Sequence, residues 1–139
     1  MPGTAVKTVE ALVAENQSAE AQHDQLSLRV AVSIRSSTAV IDAILKNAGS
    51  EPWEYMVGGD LPPVLQIEVH DAEDKEVYGW QPPPIAAHWR SIRLLEPGAS
   101  LAQKAEVTAQ GRVSVRARVF PLNDFQTPEI EVVLPGSDT

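Results

Sequence analysis

Apolar and polar residues alternate along most of the chain with the period of two that a half-buried β-strand produces. The clearest runs are residues 26–34 and 113–119, where every second side chain is aliphatic or alanine. Short clusters rich in Gly, Pro, Asn, Asp and Ser separate the runs, and these residues favour turns. Runs spaced about 8–12 residues apart are typical of an antiparallel sandwich rather than of βαβ units. The predicted strands cover residues 26–34, 40–46, 53–57, 65–70, 76–80, 92–94, 101–107, 113–119 and 130–134.

The inward-facing positions of these runs must share one interior, since successive side chains of a strand point to opposite faces of its sheet. The predicted core comprises Leu28, Val30, Val32, Ile41, Leu45, Leu65, Ile67, Val69, Val113, Val115 and Val119. A second expectation concerns residues 40–46 and 53–57, which flank the sequence N-A-G-S-E-P. Two apolar runs around such a cluster predict neighbouring strands joined by a turn.

Residues 1–25 differ from the rest, being rich in Ala, Glu and Gln and free of Phe, Trp and Tyr. Val6, Val9 and Val13 fall at helical spacing, but the apolar stripe is thin. We predict an N-terminal appendage over residues 1–25, either a short helix or disordered. Residues 26–139 then form a single antiparallel β-sandwich domain.

Composition narrows the function classes. The chain has no cysteine, which excludes disulfides, thiolate zinc sites and cysteine nucleophiles. The absence of cysteine slightly favours a cytoplasmic location and leaves export open. The net charge of -8 arises within residues 1–80, and such an acidic body repels the phosphates of nucleic acids. No apolar run approaches the roughly 20 residues of a membrane helix. Glu10 and Glu15 interrupt the apolar stretch that a signal peptide would need.

Three short motifs occur along the predicted strands. They are Asn47-x-Gly49-x-Glu51, then Val69-x-Asp71 leading to Lys75-Glu76-Val77-Tyr78-x-Trp80, and finally Leu95-Glu96-Pro97-Gly98-x-Ser100. Their order resembles that of the intracellular proteinase inhibitor family of bacterial immunoglobulin-like domains, over roughly residues 26–119. The resemblance implies an immunoglobulin-like β-sandwich that binds another protein. Residues 58–63 and the proline run 82–84 look like extra loops relative to that pattern, and no motif identifies a reactive-site residue.

The polar residues give little sign of metal or catalytic chemistry. The three histidines, His23, His70 and His88, share no metal-ligand spacing. Residues 71–76 hold four carboxylates, but the calcium-loop signature is absent and Lys75 lies among them, so a solvated hairpin turn is the better interpretation. No set of acid, base and nucleophile is recognisable. We predict no catalytic residues, no metal site, no cofactor and no enzymatic activity.

Two clusters of residues suggest contacts. Arg112, Arg116 and Arg118 share the polar face of one predicted strand. Cross-strand pairing with Glu129 and Glu131 is the simpler explanation, and a docking patch for an acidic partner is the alternative. The second cluster surrounds the stiff proline run and is the predicted partner-binding site.

In that second cluster, Trp80 and Trp89 flank residues 82–84, and Trp and Arg are the usual energetic anchors of interfaces. The predicted contacts are His88, Trp89 and Arg90, together with Trp80 as the more buried of the two tryptophans. The alternative is that one or both rings fold inward and close the end of the sandwich.

The sequence therefore predicts a non-enzymatic module that recognises another protein through loops or a sheet edge, with a proteinase inhibitor as one concrete form. Its partner is expected to be a protein, for instance a protease, with no nucleic acid and no membrane span involved. The alternative of a different class is a structural accessory domain in a bacterial envelope or secretion assembly.

Overall fold

The computed structural model describes residues 17–59, 61–81, 89–122 and 124–134, and ten β-strands are found there. Every strand pairing among them is antiparallel. Within these ranges no helix has the length and apolar character needed to cross a membrane. The strands are β1 (Gln17–His23), β2 (Leu26–Arg35), β3 (Thr38–Asn47), β4 (Trp53–Gly58), β5 (Leu65–Asp71), β6 (Glu76–Tyr78), β7 (Arg90–Leu95), β8 (Ser100–Thr108), β9 (Gly111–Val119) and β10 (Ile130–Leu134).

Two four-stranded sheets face each other in the order β1-β2-β3-β8 and β10-β9-β5-β6. In the first sheet the chain crosses over so that β3 pairs with β8, and in the second so that β9 pairs with β5. An immunoglobulin sandwich places strands A, B and E together on one sheet and G, F and C on the other. In this protein β2, β3 and β8 correspond to strands A, B and E. Strands β10, β9 and β5 correspond to G, F and C. The predicted immunoglobulin-like antiparallel β-sandwich is confirmed.

The core lies between the two sheets and follows the alternation read from the sequence. All the predicted core residues are buried, none with more than 4% of its surface exposed. Phe125, Leu95 and Leu134 join them, as do small residues such as Ala43 and Ala117. Small residues at facing positions allow the two sheets to interdigitate closely.

The predicted N-terminal appendage is wrong for residues 17–23, which form strand β1. This strand pairs with β2 from Gln17 opposite Val32 to His23 opposite Leu26. Its polar composition is misleading because β1 lies at a sheet edge, where one face needs only small side chains to cover the core. Ala19 and Ala21 supply that cover. Residues 1–16, with the predicted helical stripe, lie outside the described residues.

The predicted turn between neighbouring strands after residue 46 is also wrong, since β3 and β4 do not pair. Both sides of β3 are already occupied, by β2 and by β8. Strand β4 pairs instead with β7, from Trp53 opposite Leu95 to Gly58 opposite Arg90. The two strands form a separate two-stranded sheet, called the ribbon below.

Asn47 attaches one end of the ribbon to the sandwich. Its side chain is wholly buried, and its Nδ2 donates to the main-chain oxygens of Glu51 and Leu95, both at 2.8 Å. Its Oδ1 accepts hydrogen bonds from Gln25 Nε2 and from the Gly49 N–H, both at 3.0 Å. Every polar atom of the amide is thereby satisfied, as burial requires. These five residues are called the Asn47 cluster.

The main chain of Asn47 makes further bonds to the turn that follows the ribbon. Asn47 N donates to Ala99 O at 3.0 Å, and Gly98 N donates to Asn47 O at 2.7 Å. Gly98 has φ of 83°, a left-handed conformation that glycine adopts without strain and that position i+2 of a type II turn requires. Two of the motifs behind the family resemblance thus meet around one buried amide.

Candidate protein-binding surface

Trp89 and Arg90 lie at the end of the ribbon opposite the Asn47 cluster. Trp89 is 51% exposed and its main-chain oxygen accepts hydrogen bonds from Gly59 N and Arg90 Nη1, at 3.3 and 3.2 Å. A Cβ atom at Gly58 would lie 2.7 Å from that oxygen and 3.0 Å from Arg90 Cδ, so only glycine lets the chains approach here. The structure therefore presents both predicted residues to solvent. His88 lies outside the described residues.

One face of the ribbon is apolar and exposed. The register places Met56 opposite Ile92 and Glu54 opposite Leu94, so these four side chains share a face. Met56, Ile92 and Leu94 are 43%, 60% and 53% exposed. Adjacent large apolar side chains in water are uncommon away from interaction sites.

The other face of the ribbon packs on the sandwich. Trp53 and Tyr55 stack with ring centroids 5.6 Å apart and lie against the core, and Leu95 is fully part of it. This packing stabilises a two-stranded sheet that would be marginal alone in water. Both rings are half-buried.

A cleft of about 400 Å³ runs beside the exposed face of the ribbon. Its residues are mostly apolar and come from three parts of the chain. They are Glu54, Tyr55, Met56, Leu61, Ile92, Phe120 and Pro121. Phe120 is held by a hydrogen bond from its N–H to Val64 O at 2.9 Å, and the peptide bond to Pro121 is cis. We call this the ribbon cleft.

A second cleft of about 190 Å³ shares Phe120 with the ribbon cleft. It is lined by Pro62, Gln66, Trp80, Arg118, Val119 and Phe120, and we call it the Trp80 cleft. Trp80 is half-buried, so the prediction that it is the more buried of the two tryptophans is confirmed. Trp80 also borders a smaller cleft of about 150 Å³ with Tyr78 and Gln103. The ring therefore shapes a surface depression, while Trp89 projects outward.

Of the three arginines predicted to pair with Glu129 and Glu131, Arg116 and Arg118 pair instead with Glu68. Arg116 Nε lies 3.0 Å from Glu68 Oε1, and Arg118 Nη1 lies 2.9 Å from Glu68 Oε2. The register explains the error, because β5 flanks β9 on one side and places Glu68 directly opposite Arg116. On the other side, Ser114 faces Glu131. The sequence pattern alone does not say which neighbour an arginine will reach.

The two arginines decide the ionisation of Glu68, whose side chain is only 10% exposed. Burial raises the pKa of Glu68, but hydrogen bonds from Arg118 and Arg116, together with their positive charges, outweigh it and lower the pKa below its usual value. Glu68 is therefore a carboxylate at neutral pH, held between two cations on the outer face of the second sheet.

The acidic turn between β5 and β6 uses one carboxylate to hold its own main chain. Asp71 Oδ1 accepts the N–H groups of Glu73 and Lys75, both at 2.9 Å, which is an Asx-turn arrangement. His23 and His70 stand on different sheets, β1 and β5. Among the residues that the structure describes, no three His, Asp or Glu side chains are grouped as metal ligands would be.

Two comparisons with known proteins found no relative of this chain. No family model matches the chain, and a search of curated proteins found no match either. The resemblance to the intracellular proteinase inhibitor family stays a prediction. The structure gives its Asn47 and Pro97-Gly98 motifs a role in attaching the ribbon, which is a matter of folding rather than of inhibition.

Proposed function

We propose that the protein is a non-enzymatic module that binds another protein through the exposed face of the ribbon and the ribbon cleft. The observation that carries this proposal is the grouping of Met56, Ile92 and Leu94, all more than 40% exposed, on one face of the ribbon. Trp89, which is 51% exposed, directly precedes strand β7. Their rim is polar or charged, with Glu54 and Arg90 on the same face. Large apolar patches with polar rims are typical of protein interaction sites.

The construction of this surface favours binding at a low ordering cost. The ribbon is fixed to the sandwich at the Asn47 cluster and by the packing of Trp53 and Tyr55. A partner would therefore meet side chains whose backbone is already placed, which reduces the entropy lost on association. A proteinase inhibitor is one concrete form of such a module, in which the partner is a protease.

The test compares capture of partners by the wild type and by two variants that each add a charge to an exposed apolar position. Ile92→Glu changes the ribbon, and Val133→Glu is the control, since Val133 is 63% exposed on β10. Proteins captured from a lysate of the native host are quantified by mass spectrometry. We expect a partner that is retained by the wild type and by Val133→Glu and is lost with Ile92→Glu.

Trp89→Ala tests whether the binding surface extends to the end of the ribbon, where Trp89 directly precedes β7. Because half of this side chain is exposed, its removal should change the melting temperature little while reducing capture. A recovered protease should then be assayed for inhibition, whereas recovery of envelope or secretion components would favour the accessory-domain alternative. Equal capture by the wild type and Ile92→Glu would refute the ribbon as the binding surface.

A further inference from the structure

The Trp80 cleft carries a surplus of positive charge that the fold does not use. Arg118 borders this cleft and, with Arg116, shares the single carboxylate of Glu68. Two cations and one anion leave a local charge of one positive unit, in a chain whose net charge is -8. Gln66, the other polar residue of the cleft, is neutral.

Arg116 and Arg118 each have guanidinium N–H donors that do not bond to Glu68. Each arginine has five N–H donors, and toward the described residues Arg116 uses Nε and Arg118 uses Nη1. The two arginine side chains are 25% and 34% exposed, whereas that of Glu68 is 10% exposed. The carboxylate thus lies beneath and fixes the position of both cations, and the cations face solvent.

Apart from Arg118 and Gln66, the described residues that line the cleft are largely apolar, and the cleft is large enough for one side chain. Trp80, Phe120, Pro62 and Val119 supply its walls. Its volume of about 190 Å³ exceeds the roughly 150 Å³ of a cavity that accepts benzene. An apolar depression with a fixed cation at its rim has a defined complement, which is an apolar group next to an anion.

We infer that the partner segment places an apolar side chain between Trp80 and Phe120 and an adjacent Asp or Glu carboxylate on Arg118. The inference rests on the proposed function, and it adds the chemistry of the partner and extends the contact past Phe120 into the second cleft. A carboxylate is the expected anion because its two oxygens match the planar fork of a guanidinium. The hydrogen bond from Arg118 on β9 to Glu68 on β5 prepares Arg118 for this contact, since the bond already orders the arginine side chain.

The test is selection from a displayed library of random heptapeptides on the folded, full-length protein. The wild type should enrich peptides in which Asp or Glu adjoins a large apolar residue. Arg118→Gln should lose the acidic preference and keep the apolar one. Arg112→Gln is the matched control, because Arg112 lies on the same strand and face as Arg118 but borders a different cleft, and it should select as the wild type does.

A second measurement needs no protein variant. The best enriched peptide and its analogue with Asn or Gln in place of the acid are titrated against the wild type, and the acid should bind about tenfold tighter or more, as a charge-assisted hydrogen bond predicts. Equal affinities, or an acidic preference unchanged in Arg118→Gln, would overturn the inference. Apolar enrichment without acid in the wild type would overturn it and leave the proposed function standing. No enrichment at all would overturn both.

Discussion

The Asn47→Ala substitution tests whether the Asn47 cluster holds the ribbon to the sandwich. Alanine removes the whole amide, and with it two donors and one acceptor oxygen at a site with no exposed surface. The main-chain oxygen of Leu95 loses its side-chain donor and the Gly49 N–H loses its acceptor. The main-chain oxygen of Glu51 keeps one of its two side-chain donors, Gln25 Nε2 at 2.6 Å. Because water reaches the site poorly, these groups are left with part of their desolvation cost uncompensated.

The magnitude follows from the number and burial of the bonds. The side chain makes four hydrogen bonds, and each contributes about 1 kcal/mol net in a typical protein. The bond to Leu95 O is fully buried and the others are partly buried, so the expected loss is about 3–4 kcal/mol. That is a large part of the roughly 5–15 kcal/mol by which a domain is stable. The melting temperature should fall by on the order of 10 °C or more.

Urea unfolding followed by tryptophan fluorescence measures the change, and Trp53 reports on the ribbon next to the cluster. Asp42→Ala is the control, since Asp42 is exposed on the same strand, and it should stay within about 0.5 kcal/mol of the wild type. Asn47→Asp keeps the acceptor but sets a carboxylate against two carbonyl oxygens, so it should cost at least as much as alanine at pH 7. A loss below about 1 kcal/mol for Asn47→Ala, with an unchanged urea slope, would refute this account of the attachment.

Three further outcomes are expected. Val115→Asp should cost several kcal/mol, because position 115 has no exposed surface and the charge would be unpaired, and a wild-type melting curve would contradict the assigned core. Glu68→Gln should destabilise by about 2 kcal/mol at pH 7. This difference should be fully present above the ordinary Glu value of 4.5 and shrink as the pH falls through the lowered pKa of folded Glu68, so an equal difference at pH 7 and pH 3 would contradict the ion pairs. Thermal melts with and without EDTA should coincide, and a large fall with EDTA would indicate a metal at the acidic turn.

Most of the sandwich could be predicted because burial on one face of a strand dictates alternation. Strands β2 and β9 each carry an aliphatic or alanine residue at nearly every second position, and the inward set coincides with the buried set. The same alternation holds in β4, where Trp53 and Tyr55 lie on one face and Met56 on the other. Alternation is a property of single strands, and a single sequence shows it directly.

Strand pairing could not be predicted in the same way, since it depends on contacts between distant parts of the chain. Nothing in residues 53–58 shows that their partner is β7, some 35 residues later, and a local turn is the default expectation. Strand β1 was missed for a related reason. An edge strand needs little apolar surface, so its composition resembles that of a disordered segment.

The ion pairs of Arg116 and Arg118 with Glu68 could not be predicted for the same reason, since they also join distant parts of the chain. Glu68 alternates with Ile67 and Val69, a pattern that predicts a solvated position, yet Glu68 is 8% exposed. Its burial comes from Arg116 and Arg118, which lie 48 and 50 residues away in sequence. Long charged side chains can cover a neighbouring strand with their aliphatic stems. A polar position on a strand can thus be buried by its neighbours, which periodicity does not reveal.

The ribbon affects both the stability of the fold and the proposed binding of a partner, because one of its ends is buried and the other is exposed. At the end near Leu95 the Asn47 cluster and the core fix the backbone, and at the other end Trp89 and Arg90 stand at the surface. Register links the two ends, since six consecutive pairs connect Trp53 opposite Leu95 with Gly58 opposite Arg90. Loosening the buried end should therefore also disorder the exposed apolar face, and a partner would then have to restore that order on binding. Affinity for the partner should consequently fall in Asn47→Ala even at temperatures where most of the variant is folded, although the Asn47 side chain is buried and does not line the ribbon cleft.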